Sequence, residues 1–198
     1  MGTVQKLMAM TLLAALAGTA LADLAEIPSG TYKLDKTHGY VNFSYTHLGF
    51  SVPTVGFREF DVELQYDAED PAESDLGVTI QAASVDSRVD DFDAHLRGED
   101  FFNVAEHPEI IFRATGIEIN ADSSAAITGD LTILGTTKPV VLSATLNKAG
   151  MHPLAKVLAM GFNATTRVKR SEWGLGYAVP MVTDDVDINI SVELHKSE

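Results

Sequence analysis

Residues 186–194 read VDINISVEL, with Val186, Ile188, Ile190, Val192 and Leu194 alternating against Asp187, Asn189, Ser191 and Glu193. A period of two places all five apolar side chains on one face of a strand, whereas a helix would scatter them around its circumference. The same alternation recurs in YVNFSYT (40–46) and FDVELQY (60–66). Between Phe57 and Phe60 the phase slips by one residue, which predicts a bulge or bend at Arg58-Glu59. Further strands are predicted in TYKLDK (31–36), GVTIQAASV (77–85), EIIFRATGIEI (109–119), AAITGDLTIL (126–134), PVVLSATLN (139–147) and MGFNATTRVKR (160–170). Turn-forming stretches separate them, and Pro139 is expected at the first position of its strand, where a missing N–H does least harm. The clear helical candidate is Asp90–Arg97, with acids at its start and Arg97-Gly98 at its end.

About eight or nine one-sided strands with a single short helix must bury their apolar faces against one another. The expected fold is therefore all-β, an antiparallel barrel of about eight strands, because closure also removes exposed sheet edges. Such a barrel either fills with side chains or holds a ligand, according to how bulky its inward residues are. Here Phe43, Phe112 and Phe162 stand beside Ala82, Ala114, Ala144, Ala164 and Gly129, a mixture that leaves room for a long, thin, apolar cavity. The candidate lining residues are Phe43 and Tyr45 on the YVNFSYT strand, and Phe60, Val62 and Leu64 on FDVELQY. Ile80, Phe112, Leu131, Ile133, Leu142 and Phe162 follow on the later strands, with Trp173 in the loop beyond them.

The 198-residue chain opens with Lys6, the apolar run LMAMTLLAALAG and then Ala20-Leu21-Ala22, a small-x-small pattern read by signal peptidases. Residues 1–22 are expected to be a signal peptide and 23–198 one exported domain, in the periplasm, without stable membrane insertion. With no cysteine, stability must come from packing and strand pairing rather than disulfides. The net charge of -14 becomes -14 - 1 = -15 once Lys6 is removed, which disfavours nucleic acid as a partner.

Catalytic patterns are sparse. The six histidines, at 38, 47, 95, 107, 152 and 195, show neither the i, i+4 spacing of a helical metal pair nor an H-x-H strand pair, so solvent-facing or core histidines are expected and no metal. There is no G-x-S-x-G elbow, and GLGYAV (174–179) lacks the third glycine and following helix of a dinucleotide site. The acidic runs RVDDFD and TDDVD read as a helix start and a polar strand face. In DAHLRGEDFF (93–102), Phe92 and Leu96 share a helix face that can lie over a barrel end, while Asp93 and Arg97 are expected to pair on the outside. His95 is read as structural.

Four ordered motifs then become recognisable: HLGF (47–50), ASVDS (83–87), DAHLRGEDFFNVAEHPEIIF (93–112) and GDLTILGTTKPVVL (129–142). Together, over about Tyr32 to Leu194, they resemble the YceI-like family of periplasmic polyisoprenoid-binding proteins. The resemblance implies an extended, lipocalin-like barrel holding an isoprenoid tail, with quinone or another prenyl lipid as cargo for transport or storage. It implies a homodimer in many members, no cofactor beyond the bound lipid, and no catalysis. Where many relatives carry an Asp-Pro-Trp-Gly-Gly turn and an Arg, this chain has MHPLAKVLAMGF (151–162). Two other readings remain at this point: an enzyme using His95, Arg97 or Asp100 in the same pocket, and a packed interaction protein without a cavity.

Overall fold

The computed structural model describes Leu24, residues 26–120 and residues 124–197, so the expected leader and its cleavage position lie outside the described residues. Strand β1 (Gly30–Ser44) is followed by β2 (Thr54–Phe57), β3 (Phe60–Tyr66), β4 (Asp75–Gln81) and β5 (Val85–Asp86). After helix α1 (Asp90–Arg97) come β6 (Glu109–Ile119), β7 (Ser124–Ile133), β8 (Thr136–Met151), β9 (Leu158–Lys169) and β10 (Asp185–Lys196). The hydrogen-bonded order β10-β9-β8-β7-β6-β4-β3-β1 closes on itself because β10 also pairs with β1, which makes an eight-stranded antiparallel barrel. Two short strands, β2 and β5, extend it beside the C-terminal half of β1.

The alternation seen in the sequence sets the wall. Along β3, Phe60, Val62, Leu64 and Tyr66 are buried and Asp61, Glu63 and Gln65 exposed, and β8 repeats this from Val140 to Leu146. Several strand limits differ from expectation for local reasons. TYKLDK and YVNFSYT are one strand, interrupted between the Leu34–Leu194 and Gly39–Val192 pairs, where residues 35–38 of β1 face the single residue Glu193 of β10. GVTIQAASV breaks at a 3-10 turn, Ala82–Ser84, before the two residues of β5. The expected slip at Arg58-Glu59 is the break between β2 and β3. Pro139 is not the first residue of its strand; β8 starts at Thr136 and Pro139 pairs with Asp130 of β7. The pairing with β9 begins at Ser143, so at Pro139 one side of the strand needs no donor.

Close packing constrains one position above all. Phe112 of β6 lies across Gly129 of β7, where an added Cβ would fall 2.3 Å from the ring and 2.6 Å from the Arg113 carbonyl oxygen. A glycine is required there so that the two strands and the ring occupy one layer.

The β1 bulge carries its own titration. Asp35 accepts hydrogen bonds from His38 Nδ1 at 2.6 Å and from the Thr37 N–H and hydroxyl, each at 2.9 Å. The His38 bond, followed by the Thr37 N–H, holds the Asp35 carboxyl down at about 2, and Asp35 in turn raises His38. A lowered carboxyl contributes stability above its ordinary range, about pH 4, and loses it as pH falls towards about 2. A raised imidazole does the opposite: its contribution is complete below the ordinary value of about 6.5 and disappears as pH rises through the raised one. Thermal unfolding followed from pH 2 to pH 8 is expected to show both declines in the native chain and a flatter profile in Asp35→Asn.

Candidate functional site

Inside the barrel the inward faces do not meet. They enclose an elongated cavity of about 780 Å³, within the size range of small-molecule sites, and its walls are almost entirely apolar. Ala144 of β8 and Ala164 of β9 are cross-strand partners that both face it, and these two small side chains keep the lumen open at that level. Ala82, Ala114 and Gly129, read from the sequence as inward, stand off the lumen, Gly129 beneath the Phe112 ring.

Of the residues expected to line a cavity, Phe43, Tyr45, Val62, Leu64, Ile80, Phe112, Leu131, Ile133, Leu142, Phe162 and Trp173 do so. Phe60 does not. It is buried, 4% exposed, but its ring fills the space left by the missing side chain of Gly39 at the edge of the β1 bulge, where it also meets Leu34. The bulge is what removes Phe60 from the lumen, and alternation alone does not show it. Trp173 is anchored by its indole N–H, which donates to the Leu131 carbonyl at 3.0 Å.

At the end of the cavity near the start of β1, Leu24 lines the lumen and the buried Ile27 donates its backbone N–H to the Leu24 carbonyl. Tyr32 donates to the Pro28 carbonyl at 2.8 Å and Tyr66 to the Leu24 carbonyl at 3.3 Å, and the two rings meet edge to face at 6.1 Å. Burial first, and the neighbouring Tyr66 second, push the Tyr32 hydroxyl up to about 12; Tyr66 and Tyr45 are raised by burial as well. All three stay neutral at ordinary pH, so these parts of the site carry no anion.

At the opposite end, α1 takes the place of a strand. β5 is the last strand on its side of the sheet, and α1 packs beside it. Phe92 and Leu96 face the lumen, as do Phe101 and Phe102 just after the helix. The expected outside pair of Asp93 with Arg97 is not formed. Arg97 donates instead to the Ala83 and Val85 carbonyls, at 2.8 and 3.2 Å, and so satisfies an acceptor on the β5 edge. Asp93 is buried and accepts from the Ser87 N–H and hydroxyl. Burial raises its pKa, but the Ser87 bonds outweigh this and lower it overall. His95 lies in a ring triangle with Phe101 and Tyr177, at 5.0 and 5.5 Å, with Nε2 3.2 Å from Asp100.

A residue absent from the expected set organises this end. Arg170 is 9% exposed, borders the cavity, and donates to the carbonyls of Leu175, Tyr177, Val182 and Thr183. One guanidinium thus fixes the 174–184 loop over the barrel mouth. Burial lowers its pKa, while Asp184 and Tyr45 favour the charged form. The charged and imidazole side chains of the lining, His47, His95 and Arg170, stand at this same mouth with Ser87 and Tyr177, whereas the far end adds only the hydroxyls of Tyr66, Ser74 and Ser124 to a mostly apolar wall. Among the described residues no helix is long and apolar enough to cross a membrane.

The profile of a family described as the YceI-like domain matches residues 32–194. A UPF0312 protein of Azotobacter vinelandii is 39% identical over 184 residues, spanning 91% of this chain and 95% of its own. The crystal structure of the Campylobacter jejuni YCEI protein is 29% identical, with a TM-score of 0.70 over 77% of this chain and 90% of its own. A polyisoprenoid binding domain from Saccharophagus degradans, implicated in plant cell wall breakdown, shares the fold at 12% identity. Its TM-score is 0.66, over 84% of this chain and 98% of its own.

Proposed function

The chain belongs to the YceI-like family, and from that premise we propose that it is a periplasmic lipid carrier or store whose barrel holds one polyisoprenoid chain. The observation that carries the reading is the apolar lumen of about 780 Å³, kept open in section where the neighbouring Ala144 and Ala164 both face it. A chain-like guest would gain about 0.8 kcal/mol for each methylene buried, so several prenyl units bind tightly without a charged anchor. The head group, a quinone or another prenyl derivative, lies at the polar mouth beside Tyr45, His95 and Arg170, and the tail runs towards Tyr66. The name of the Saccharophagus degradans domain, which shares this fold, supports the same ligand class.

The arrangement of the mouth favours binding over catalysis. Arg97 is engaged with backbone carbonyls and His95 with Asp100 and two aromatic rings, so the groups an enzyme reading would use serve to hold α1 at the barrel mouth. Extraction of the purified protein into organic solvent, with mass spectrometry of the extract and of the intact complex, tests the proposal. One prenyl lipid per chain is the expected result. A protein that carries none and takes up neither added quinone nor prenyl phosphate overturns it.

A further inference from the structure

Three of the six histidines, far apart in sequence, meet on the outer wall of the barrel. Leu194 faces the lumen, so its neighbours Glu193 and His195 on β10 point outwards, towards the β1 bulge that projects Asp35 and His38. The loop between β8 and β9 brings His152 over the same spot, its ring 5.6 Å from that of His195. Asp35, Glu193 and His195 each offer one donor atom, the three lying within 4.8 Å of one another, and each residue is only partly accessible. His195 Nε2 stands 2.7 Å from Glu193 Oε1 and 3.9 Å from Asp35 Oδ2. These separations bracket the roughly 3.4 Å between ligand atoms that bonds of about 2.1 Å require around a tetrahedral ion.

We propose that Asp35, Glu193 and His195 form a site for one divalent first-row transition-metal ion, with His38 and His152 as its supporting shell. The donor set is two carboxylates and one imidazole, a mixture suited to zinc, manganese or nickel rather than to calcium or to soft copper(I).

The roles of the two outer histidines follow from their hydrogen bonds. His152 Nδ1 accepts from the backbone N–H groups of Leu154 and Ala155, at 3.3 and 2.9 Å, so a neutral His152 must carry its proton on Nε2. That nitrogen lies 3.4 Å from Glu193 Oε1, which makes His152 a donor that orients the carboxylate and not a ligand. His38 does the same for Asp35, whose Oδ2 keeps a second lone pair for the ion. On metal binding His195 moves its proton from Nε2 to Nδ1 and gives up its bond to Glu193. The ion then ties the bulge of the first strand to the last strand, across the pairing that closes the barrel.

The test is calorimetric titration of untagged, chelator-treated protein with ZnCl2, with metal content measured after dialysis. One zinc per chain is expected, with a rise in thermal midpoint. His195→Ala and Asp35→Asn are expected to weaken binding more than about 100-fold, and His152→Ala, which leaves the ligands in place, about 10-fold. His107→Gln, remote from the cluster, should bind as the native chain does. Circular dichroism of each variant separates loss of the site from loss of the fold. Zinc binding that survives both His195→Ala and Asp35→Asn overturns the site, as does a folded native chain that binds neither zinc, manganese nor nickel.

Discussion

With Arg170 replaced by methionine, the protein is expected to lose about 4 kcal/mol of folding free energy in urea unfolding, with amide exchange rising first in residues 174–184. What remains after the cation is removed sets the size of the loss. Methionine fills much of the volume, and no buried charge is left behind, so part of the desolvation cost of the guanidinium is recovered. Four carbonyls, of Leu175, Tyr177, Val182 and Thr183, then lose a charged donor at once. At roughly 1–3 kcal/mol for each buried group left unpaired, the loss exceeds the recovery. Lysine is expected to rescue little, because its compact ammonium cannot span acceptors arranged around a planar fork. A Met variant as stable as the native chain would show that the loop is held by its apolar packing and that the guanidinium is dispensable.

The second large effect concerns the lumen. Ala164→Phe is expected to weaken prenyl-lipid binding at least about 100-fold and to leave folding stability unchanged or slightly raised. Position 164 projects into the cavity between Ala144 and Ile190, so an added ring occupies the path proposed for the guest rather than a packed interior. Displacing the equivalent of about four methylenes forfeits roughly 3 kcal/mol, which is a factor of about 100–200 in affinity. Competition against a fluorescent prenyl probe measures it, with urea unfolding alongside. If Ala164→Phe folds and binds as tightly as the native chain, the tail does not run past this level of the barrel.

Much of this architecture was legible because it rests on local rules. The inward sets of β3, β8 and β10 follow from alternation, and α1 begins and ends where its acids and Arg97-Gly98 place it. What escaped depends on register. The β1 bulge takes Phe60 out of the lumen, and nothing within FDVELQY announces an irregularity on another strand. The i, i+4 spacing of Asp93 and Arg97 is a genuine helical neighbourhood, but Ser87 and the carbonyls of Ala83 and Val85 compete for the two side chains and win. Arg170 reads in sequence as the end of a polar strand, and only the return of the chain through Thr183 surrounds it with carbonyls. His38, His152 and His195 share no spacing rule, since barrel closure brings together the two ends of the chain.

Every strand of the wall is bonded to a neighbour on each side, and the first is bonded to the last. At the level where β4 pairs with β6 such a sleeve is bonded all the way round, so on the proposed carrier reading a guest is drawn out lengthwise, past the panel formed by α1 and the Arg170 loop. Withdrawal then exposes one segment after another to water at about 0.8 kcal/mol per methylene, and residence time lengthens roughly fourfold with each methylene held. Capture has no comparable dependence, because the tip of any tail meets the same opening. On the proposed carrier reading, a homologous series of prenyl compounds would thus be sorted by how slowly each leaves, and the barrel would act as a ruler for chain length, read in time.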